Sequence, residues 1–178
     1  MYFLSWNAHK FAEMKLILPE LEQVDIELPE IQNLDPKEIV LYKLQAAMAQ
    51  LPGKKLIVED TSLVIHARGW LPGPFIKRFL QTVKDTGIRE MVKNFPDKKA
   101  FGRSMIGYFD GQETHFFEGI VHWQIVEPTV YSPFGWDALF LPDGYDKTFG
   151  HMTMEEKNMI SHRADSVRKF QKFLLSNR

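Results

Sequence analysis

Three acidic residues that follow two predicted strands are the first candidates for chemistry. Glu59 and Asp60 come directly after the apolar segment 56–58, and Glu30 follows a second predicted strand that ends at Leu28. Adjacent carboxylates at the end of a buried strand are costly unless water, a metal ion or a cation compensates them. Carboxylates from different strand ends can meet on one hard cation that takes oxygen ligands. The alternative is a solvated junction between strand and turn, and these residues alone leave both readings open.

The N-terminal segment offers a place for an anion. Ser5, Asn7 and Lys10 lie where a short predicted strand turns into a helix. The first backbone N–H groups of a helix favour a negative charge, and the three side chains add a hydroxyl, an amide and a cation. Serine and asparagine before a helix also serve as simple caps, so this segment by itself does not decide between the two roles.

Two cations lie on apolar stripes of predicted helices. Lys43 is four residues after Ile39 on one helix, and Arg163 is four residues before Val167 on the last helix. A long cationic side chain in such a position either extends along its own stem to solvent or meets an anion. For Arg163, an ion pair at the edge of the stripe is the simplest alternative to a functional role.

The elements that must position these residues alternate between strand and helix, which predicts a mixed α/β fold. Asp35 and Pro36 form a strong helix start, and the Asp-Gly-Gln segment at 110–112 indicates a hairpin. Predicted strands cover 2–6, 23–28, 56–58, 101–109 and 114–126; predicted helices cover a segment with Phe11, Met14 and Leu18, then 35–51, 75–83, and a C-terminal segment with Met159, Val167, Phe170 and Leu174.

Composition limits the class of protein. The 178 residues, of which 44% are apolar, fit one domain spanning 1–178. The 22 basic and 23 acidic residues nearly cancel, so we expect neither a nucleic acid nor a membrane partner. Cysteine is absent and no paired histidines occur, which favours magnesium over zinc. The N-terminal residues do not resemble a signal peptide and no long apolar run occurs, so we expect a cytoplasmic protein.

Six short motifs in a fixed order carry a specific resemblance. They are S-x-N-x-x-K at 5–10, L-P-E at 28–30, E-D-T-S-L at 59–63, L-P-G-P-F-I-K at 71–77, F-G-W-D at 134–137 and E-K-N-x-I-S-H-R at 156–163. Together they span nearly the whole chain, and in this order and spacing the chain resembles the inosine triphosphate pyrophosphatase family. The L-P-G-P-F-I-K variant is most similar to the eukaryotic and archaeal-like branch.

This resemblance implies an elongated two-lobed α/β fold with a mixed sheet and a central cleft, assembled as a homodimer. It implies hydrolysis of ITP, dITP and XTP between the α- and β-phosphates with magnesium as the cofactor, which removes non-standard purine nucleotides from the pool. Asp60 and Lys10 are the expected catalytic residues, and Glu30 and Asp60 the expected magnesium ligands. The expected substrate-binding residues are Ser5, Asn7, Lys10, Lys43, Thr61, Lys77, Phe134, Gly135, Trp136, Asp137, Lys157, His162 and Arg163.

Within that set, the resemblance assigns the N-terminal segment and the lysines to the triphosphate and Thr61 to a substrate contact. Phe134 would stack on the purine, the next three residues would shape the base pocket, and His162 and Arg163 would reach the 6-oxo edge of the base. These roles agree with charge: hydrolysis spreads negative charge over the phosphoryl oxygens, which cations and magnesium stabilise.

Two residues depart from the family pattern. Trp6 occupies a position in the N-terminal segment that is usually small, and His151 stands where a glutamate is typical. Two other functions remain as alternatives. One is a Maf-like pyrophosphatase for modified nucleotides, which has a similar fold, and the other is a nucleotide-binding regulator without catalysis, of which these two departures would be signs. The F-G-W-D and S-H-R motifs argue against the first, and the intact Glu30, Asp60 and matched cations argue against the second.

Overall fold

The structure is a computed structural model that describes residues 1–132 and 135–177. Within these ranges the strands are β1 Tyr2–Leu4, β2 Glu22–Val24, β3 Leu56–Ile65, β4 Pro72–Gly73, β5 Lys99–Phe109, β6 Thr114–Ile125 and β7 Phe140–Pro142. The α-helices are α1 Ala8–Lys15, α2 Pro36–Gln50, α3 Ile76–Val92, α4 Met154–Ile160 and α5 His162–Ser176. The predicted α/β class is confirmed.

One mixed sheet organises the molecule. Its strand order is β2-β1-β3-β5-β6-β7, with β4 paired to β3 beside this path. β1 runs parallel to β2 and β3, whereas β3, β5, β6 and β7 are antiparallel to their neighbours. The long β5–β6 hairpin predicted around residues 110–112 is confirmed, and the Asp110 carboxylate accepts backbone hydrogen bonds from Gln112 and Glu113, both at 2.8 Å.

Helices pack on both faces of this sheet. Ile57 belongs to a core cluster with Val167 and Phe170 of α5, whereas the next residue, Val58, packs with Val40 of α2. Because successive side chains of a strand point to opposite faces, α5 and α2 lie on opposite sides of β3. A third cluster, built on α3 and the far ends of β3 and β6, forms the core around Trp123.

Helix α2 begins as its sequence predicts. The Asp35 carboxylate accepts a hydrogen bond of 2.9 Å from the N–H of Lys37, and Pro36 occupies the first turn. This cap fixes the start of the helix and therefore the height at which Lys43, two turns later, reaches the sheet.

Several predicted boundaries are wrong. The strand predicted over 2–6 ends at Leu4, and the strand predicted over 23–28 covers only Glu22–Val24. β3 does not end at Val58 but continues to Ile65, and every residue in it is buried. The helix predicted over 75–83 extends to Val92, with a break at Lys84, where φ is +59°. The C-terminal apolar stripe is interrupted at Ser161, which has extended backbone angles and ends α4 as it begins α5.

The break at Ser161 changes the surroundings of two residues. Met159, predicted on the same stripe as Arg163, lies on α4 and is exposed. The start of α5 instead presses onto β6 at Gly119, where a Cβ atom would lie 2.0 Å from the backbone oxygen of His162. Only glycine permits this contact, which brings His162 and Arg163 down onto the sheet.

Candidate active site

A cavity of about 630 Å³ lies beside β3 and contains most of the predicted functional residues. This volume is within the range of small-molecule sites. Its lining comes from the β1–α1 loop, α1, α2, β3, α3 and α5, and from the segments around residue 30 and at 135–137. The predicted residues among it are Ser5, Asn7, Lys10, Glu30, Lys43, Asp60, Thr61, Lys77, Gly135, Trp136, Asp137, His162 and Arg163. Residues that are far apart in the sequence therefore meet at one place. Lys157, which was also expected to bind substrate, does not line this cavity. Phe134 lies outside the described residues, and its stacking role stays a prediction.

The β1–α1 loop is organised by its own side chains. The Asn7 Oδ1 atom accepts a hydrogen bond of 3.1 Å from the N–H of Lys10, and Ser5 Oγ accepts one of 3.1 Å from the N–H of Asn7. Asn7 is thus the N-cap of α1. Asn7 caps the helix and also lies at the cavity wall. A capping role for this segment therefore does not exclude a role in binding an anion.

Lys10 is paired with Glu59 in the floor of the cavity. Its Nζ lies 2.7 Å from Glu59 Oε2, and the Glu59 side chain is fully buried. The other carboxylate oxygen accepts hydrogen bonds from Thr61 Oγ1 at 2.7 Å and Ser104 Oγ at 2.8 Å. Burial by itself would raise the pKa of Glu59, but Lys10 and Arg163 hold it far below its ordinary value, so this carboxylate stays charged.

Lys43 meets anions and does not extend to solvent. Its Nζ donates to Glu30 Oε1 at 3.0 Å and to the backbone oxygen of Glu59 at 2.9 Å, and it lies 3.8 Å from Asp60 Oδ1. Burial would lower the pKa of Lys43, but Asp60 and Glu30 raise it above its ordinary value. One ammonium therefore draws together the two carboxylates that were predicted as metal ligands.

Asp60 is the most unusual carboxylate of the site. It is 8% exposed, and its Oδ2 atom has no hydrogen-bond partner among residues 1–132 and 135–177. Burial raises the pKa of Asp60 to about 6, against the lowering effect of Lys43 and Lys10. A carboxylate with a free oxygen and a pKa near neutrality is suited to accept a proton.

Glu59 and Asp60 point to opposite faces of β3, since side chains alternate along a strand. Glu59 faces α1 and α5, where it meets Lys10 and Arg163, whereas Asp60 faces Lys43 of α2. The Glu30 carboxylate is on the Asp60 side, and Lys43 and Lys77 lower its pKa although burial opposes them.

A second group of buried charges lies on the α1–α5 side of the cavity. Lys157 Nζ is 2.5 Å from Asp137 Oδ2 and 2.7 Å from Glu13 Oε1. Glu13 also accepts a hydrogen bond from Arg163. Burial would raise the pKa of Glu13, but Arg163 and Lys157 lower it to about 2, whereas burial keeps the pKa of Asp137 raised despite Lys157.

Arg163 is held by several partners at once. Besides Glu13, its guanidinium donates to Thr61 Oγ1 at 3.0 Å and lies 3.4 Å from Glu59 Oε1. It is 2% exposed and still lines the cavity. Arg163 therefore forms ion pairs, as the alternative to a functional role predicted, and these pairs are with Glu13 and Glu59. Together with the hydrogen bond to Thr61, they fix Arg163 at the cavity wall.

His162 presents a neutral ring to the same region. Burial, together with the neighbouring charges of Arg163 and Lys157, lowers its pKa to about 3. Its ring packs edge-on against Trp123 at 5.6 Å, and neither ring nitrogen has a hydrogen-bond partner within the described ranges. A buried histidine with two unused nitrogens offers one donor and one acceptor to a ligand.

The wall at residues 135–137 combines an aromatic ring with a carboxylate. Trp136 is buried and packs edge-on against Phe140, with ring centroids 5.8 Å apart. Gly135 has φ of +56°, a conformation that favours glycine, and Asp137 turns its carboxylate to Lys157. The three residues therefore border the cavity, and their contact with a base stays a prediction.

The two departures from the family pattern have different surroundings. Trp6 is 52% exposed and lines the cavity, with Lys77 Nζ 5.2 Å from its ring centroid. His151 does not line the cavity and instead contacts the hydroxyls of Thr148 at 2.9 Å and Thr129 at 3.3 Å. Only Trp6 can affect a ligand directly.

Sequence reasoning missed Glu13, which does not line the cavity but pairs with Lys157 and with the cavity residue Arg163. Glu13 lies on α1 three residues after Lys10, the spacing that places two side chains on one helix face. The spacing of this glutamate from a predicted phosphate-binding lysine was the available signal. Its partners, Lys157 and Arg163, are too distant in sequence to be paired with it without the fold.

Magnesium fits the Glu30–Asp60 pair in chemistry and number. Among the described residues, no group of three or more histidine, aspartate or glutamate side chains is arranged to hold a metal ion. Mg²⁺ is commonly bound by one or two carboxylates, with water and substrate phosphates completing its shell. The carboxylates of Asp60 and Glu30, which both lie close to Lys43 Nζ, supply such a pair.

No helix in the described part of the chain is long and apolar enough to cross a bilayer.

Comparison with known proteins agrees with the motifs. The chain is 40% identical to the inosine triphosphate pyrophosphatase of Schizosaccharomyces pombe over 181 residues, which covers 99% of this chain and 95% of the relative. The fold matches the structure of the Staphylococcus aureus Ham1 protein with a TM-score of 0.84, at 24% identity and with both chains fully covered. It also matches a HAM1 protein from Coxiella burnetii, with a TM-score of 0.83 at 22% identity and 99% coverage of both chains.

A third solved structure has a similar fold. It is described as a nucleoside-triphosphatase and dITP/XTP pyrophosphatase from Mycobacterium abscessus, with a TM-score of 0.72, 24% identity, and coverage of 98% of this chain and 99% of that one. At these identities the solved structures show the fold alone. The model of the Ham1 family matches residues 1–173, and the chain therefore belongs to the Ham1 family.

Proposed function

We propose that this chain hydrolyses the non-standard purine nucleotides ITP, dITP and XTP to the nucleoside monophosphate and pyrophosphate. The observation that carries this proposal is the cavity beside β3, where Lys10, Lys43 and Lys77 line the same space as a buried carboxylate. One oxygen of that carboxylate, Asp60 Oδ2, has no hydrogen-bond partner among the described residues. The 40% identity to an inosine triphosphate pyrophosphatase supports the same reaction.

The triphosphate is proposed to bind at the β1–α1 loop. A nucleoside triphosphate carries close to four negative charges, so its binding depends on cations and on backbone N–H groups. Ser5, Asn7 and the start of α1 supply the polar groups, and Lys10 and Lys77 supply charge at the same wall. Lys43 contributes from the opposite face of β3.

Asp60 is proposed to act as the general base. A water molecule at Oδ2 would transfer a proton to this carboxylate while its oxygen forms a bond to the α-phosphorus. The bond from the α-phosphorus to the bridging oxygen then breaks, and pyrophosphate leaves. The pKa of about 6 allows Asp60 to be ionised at neutral pH and still basic enough to accept the proton.

Magnesium is the proposed cofactor, held by Glu30 and Asp60. When bound, it would neutralise charge on the phosphate oxygens as that charge develops. The protein contributes by keeping both carboxylates close: Lys43 contacts Glu30 at 3.0 Å and Asp60 at 3.8 Å, which offsets their mutual repulsion.

The base is proposed to bind between the 135–137 wall and the start of α5. Inosine and xanthine carry an oxygen at position 6, whereas adenine carries an amino group. A neutral His162 can donate one N–H to that oxygen, and Arg163 lies beside it. An amino group would face a donor and leave a buried group unpaired, which such sites can reject by about four orders of magnitude.

Discrimination against GTP needs a second contact, because GTP shares the 6-oxo group. Trp136 and Asp137 form the wall proposed to exclude its 2-amino group. Phe134, by the family resemblance, would stack on every purine alike and so would not discriminate.

A homodimer and a cytoplasmic location remain proposals that follow from the resemblance and from composition. Sedimentation velocity of the purified chain tests the first: a single species at twice the monomer mass is expected, and a monomer at all concentrations would contradict it. Fractionation of cells that express the tagged chain tests the second.

The decisive experiment is a hydrolysis panel with ITP, dITP, XTP, GTP, ATP and a pyrimidine triphosphate, each with magnesium, and with products separated by chromatography. We expect the monophosphate and pyrophosphate from the first three, and free phosphate only after an inorganic pyrophosphatase is added. Equal kcat/KM for ITP and ATP, or direct release of diphosphate and phosphate, would overturn the proposal.

A further inference from the structure

Trp6 is the one residue of the β1–α1 loop that the proposed chemistry does not use. Its side chain is 52% exposed at the cavity wall and belongs to none of the core clusters. The ring therefore contributes little to the packing of the protein. Its described ring contact is with a cation, since Lys77 Nζ lies over the ring at 5.2 Å from the centroid.

Lys77 is held less firmly than the other lysines of the cavity. Its nearest carboxylate oxygens are Glu27 Oε1 at 3.5 Å and Glu30 Oε2 at 4.0 Å, both beyond a normal hydrogen bond. By comparison, Lys10 and Lys43 approach carboxylates at 2.7 and 3.0 Å. A lysine on a flexible stem with only long ion pairs depends on other contacts for its position.

The loop that carries Trp6 is anchored on both sides of the ring. The N–H of Ser5 donates to the backbone oxygen of Val24 at 3.1 Å, and Gln23 Nε2 donates to the oxygen of Ser5 at 2.8 Å. On the other side, Asn7 caps α1. The backbone of Trp6 is thus fixed between β1 and α1, and the ring is a stable surface for a neighbouring cation.

We propose that Trp6 is a positioning residue, which holds the Lys77 ammonium at the cavity wall for the triphosphate. This inference rests on the proposed function for its nucleotide readout. An aromatic face attracts an ammonium without neutralising it, whereas a closer carboxylate would compete with the phosphates. Trp6 therefore keeps Lys77 in place and leaves its charge available.

Such a role affects substrate binding more than the chemical step. An interaction that helps equally in the bound and the transition state changes KM and leaves kcat unchanged. We expect Trp6→Leu to raise KM for ITP about three- to tenfold, the range of a cation–π contact, with kcat within about twofold of wild type. Trp6→Phe keeps an aromatic face and should recover most of the loss.

Lys77→Met provides the test of mechanism. If Trp6 acts through Lys77, then Trp6→Leu has little further effect in the Lys77→Met background, and the double variant resembles Lys77→Met alone. The matched control is Trp70→Leu, which removes a tryptophan that is 65% exposed and does not line the cavity. It should leave KM unchanged, and all variants should keep their circular dichroism spectra.

A binding measurement separates this inference from the proposed function. Calorimetric titration with inorganic tripolyphosphate reports on Lys77 without a base and without hydrolysis. Coupling between Trp6 and Lys77 in that titration supports the positioning role even if wild type fails to hydrolyse ITP. The role is overturned if Trp6→Leu has the same effect with and without Lys77, if Trp6→Phe is no better than Trp6→Leu, or if wild type does not bind tripolyphosphate.

Discussion

The Nζ atom of Lys157 lies 2.7 Å from Oε1 of Glu13, and both side chains are almost completely buried. This pair joins α4 to α1, and the hydrogen bond from Arg163 to the same carboxylate adds α5. The β1–α1 loop, which precedes α1, lies where the triphosphate is proposed to bind. The start of α5 lies where the base is proposed to bind. Glu13 therefore connects the triphosphate side to the base side.

Glu13→Gln should destabilise the protein strongly. The change keeps the shape of the side chain but leaves Lys157 and Arg163 with one fewer buried counter-charge, which costs about 3–5 kcal/mol. We expect the melting temperature to fall by roughly 10 °C, measured by calorimetry. Glu20→Gln, at an exposed position before β2, is the control. An unchanged melting temperature in Glu13→Gln would show that the Glu13 ion pairs do not stabilise the fold.

Stability should decrease on acidification because of His162. Its pKa is lowered from an ordinary 6.5 to about 3 in the folded protein, so below pH 6.5 the unfolded chain binds a proton that the folded one does not. The contribution of neutral His162 to the free energy of unfolding is fully present above pH 6.5. It is lost as the pH falls from 6.5 toward 3. The loss is about 1.4 kcal/mol for each pH unit in this window.

Urea unfolding of wild type and His162→Phe at pH 7.5 and 5.5 checks this expectation. Phenylalanine removes the titrating group and retains a ring against Trp123. The difference in unfolding free energy between the two proteins should change by about 1.4 kcal/mol between these pH values. His122→Phe alters an exposed histidine and should follow wild type; a constant difference for His162→Phe would refute the assignment.

Asp60→Asn should abolish most turnover while the fold is retained. Asparagine keeps the shape but neither accepts the proton nor binds magnesium strongly. We expect kcat for ITP to fall about a hundredfold or more, the range for loss of a general base. Because burial disfavours the Asp60 charge, the variant should melt no lower than wild type. Asp146→Asn is an exposed control, and near-normal turnover in Asp60→Asn would exclude the catalytic role.

Lys10 and Lys77 should respond differently to removal of their charge. Substitution of either lysine by methionine removes a proposed charge-assisted contact to the triphosphate, which is worth roughly 1.5–3 kcal/mol in binding. Lys10→Met also strips the fully buried Glu59 of its 2.7 Å partner and should lower stability by several kcal/mol, on the order of a broken buried pair. Lys77→Met loses only long, partly exposed ion pairs and should melt near wild type. Equal losses of melting temperature in both would contradict the geometry.

Local sequence signals predicted much of the framework. The Asp35 cap, the β5–β6 hairpin and the position of Lys43 on a buried stripe depend on residues a few positions apart, and each is confirmed. Such features depend on backbone geometry and short-range hydrogen bonds, which a sequence specifies directly.

The extent of β3 could not be predicted in the same way. Glu59 and Asp60 look like the end of a strand, because two charges in a buried position are costly. They lie inside β3 because Lys10, Lys43 and Arg163 arrive from three different helices to compensate them. The strand therefore depends on contacts that no local window contains.

The sequence by itself determined the family and predicted most of the chemical groups at the cavity, because six motifs in fixed order contain Lys10, Lys77, Asp60 and Arg163. It did not identify Glu13, which lies outside all six motifs. Only the tertiary structure decided which partners meet. Alternation along β3 directs Glu59 to Lys10 and Asp60 to Lys43, and the packing of α1 against α5 pairs Glu13 with Arg163. A sequence does not show which carboxylate pairs with which cation. Distances and burial in the fold determine these pairs, and they give each carboxylate its own pKa and role.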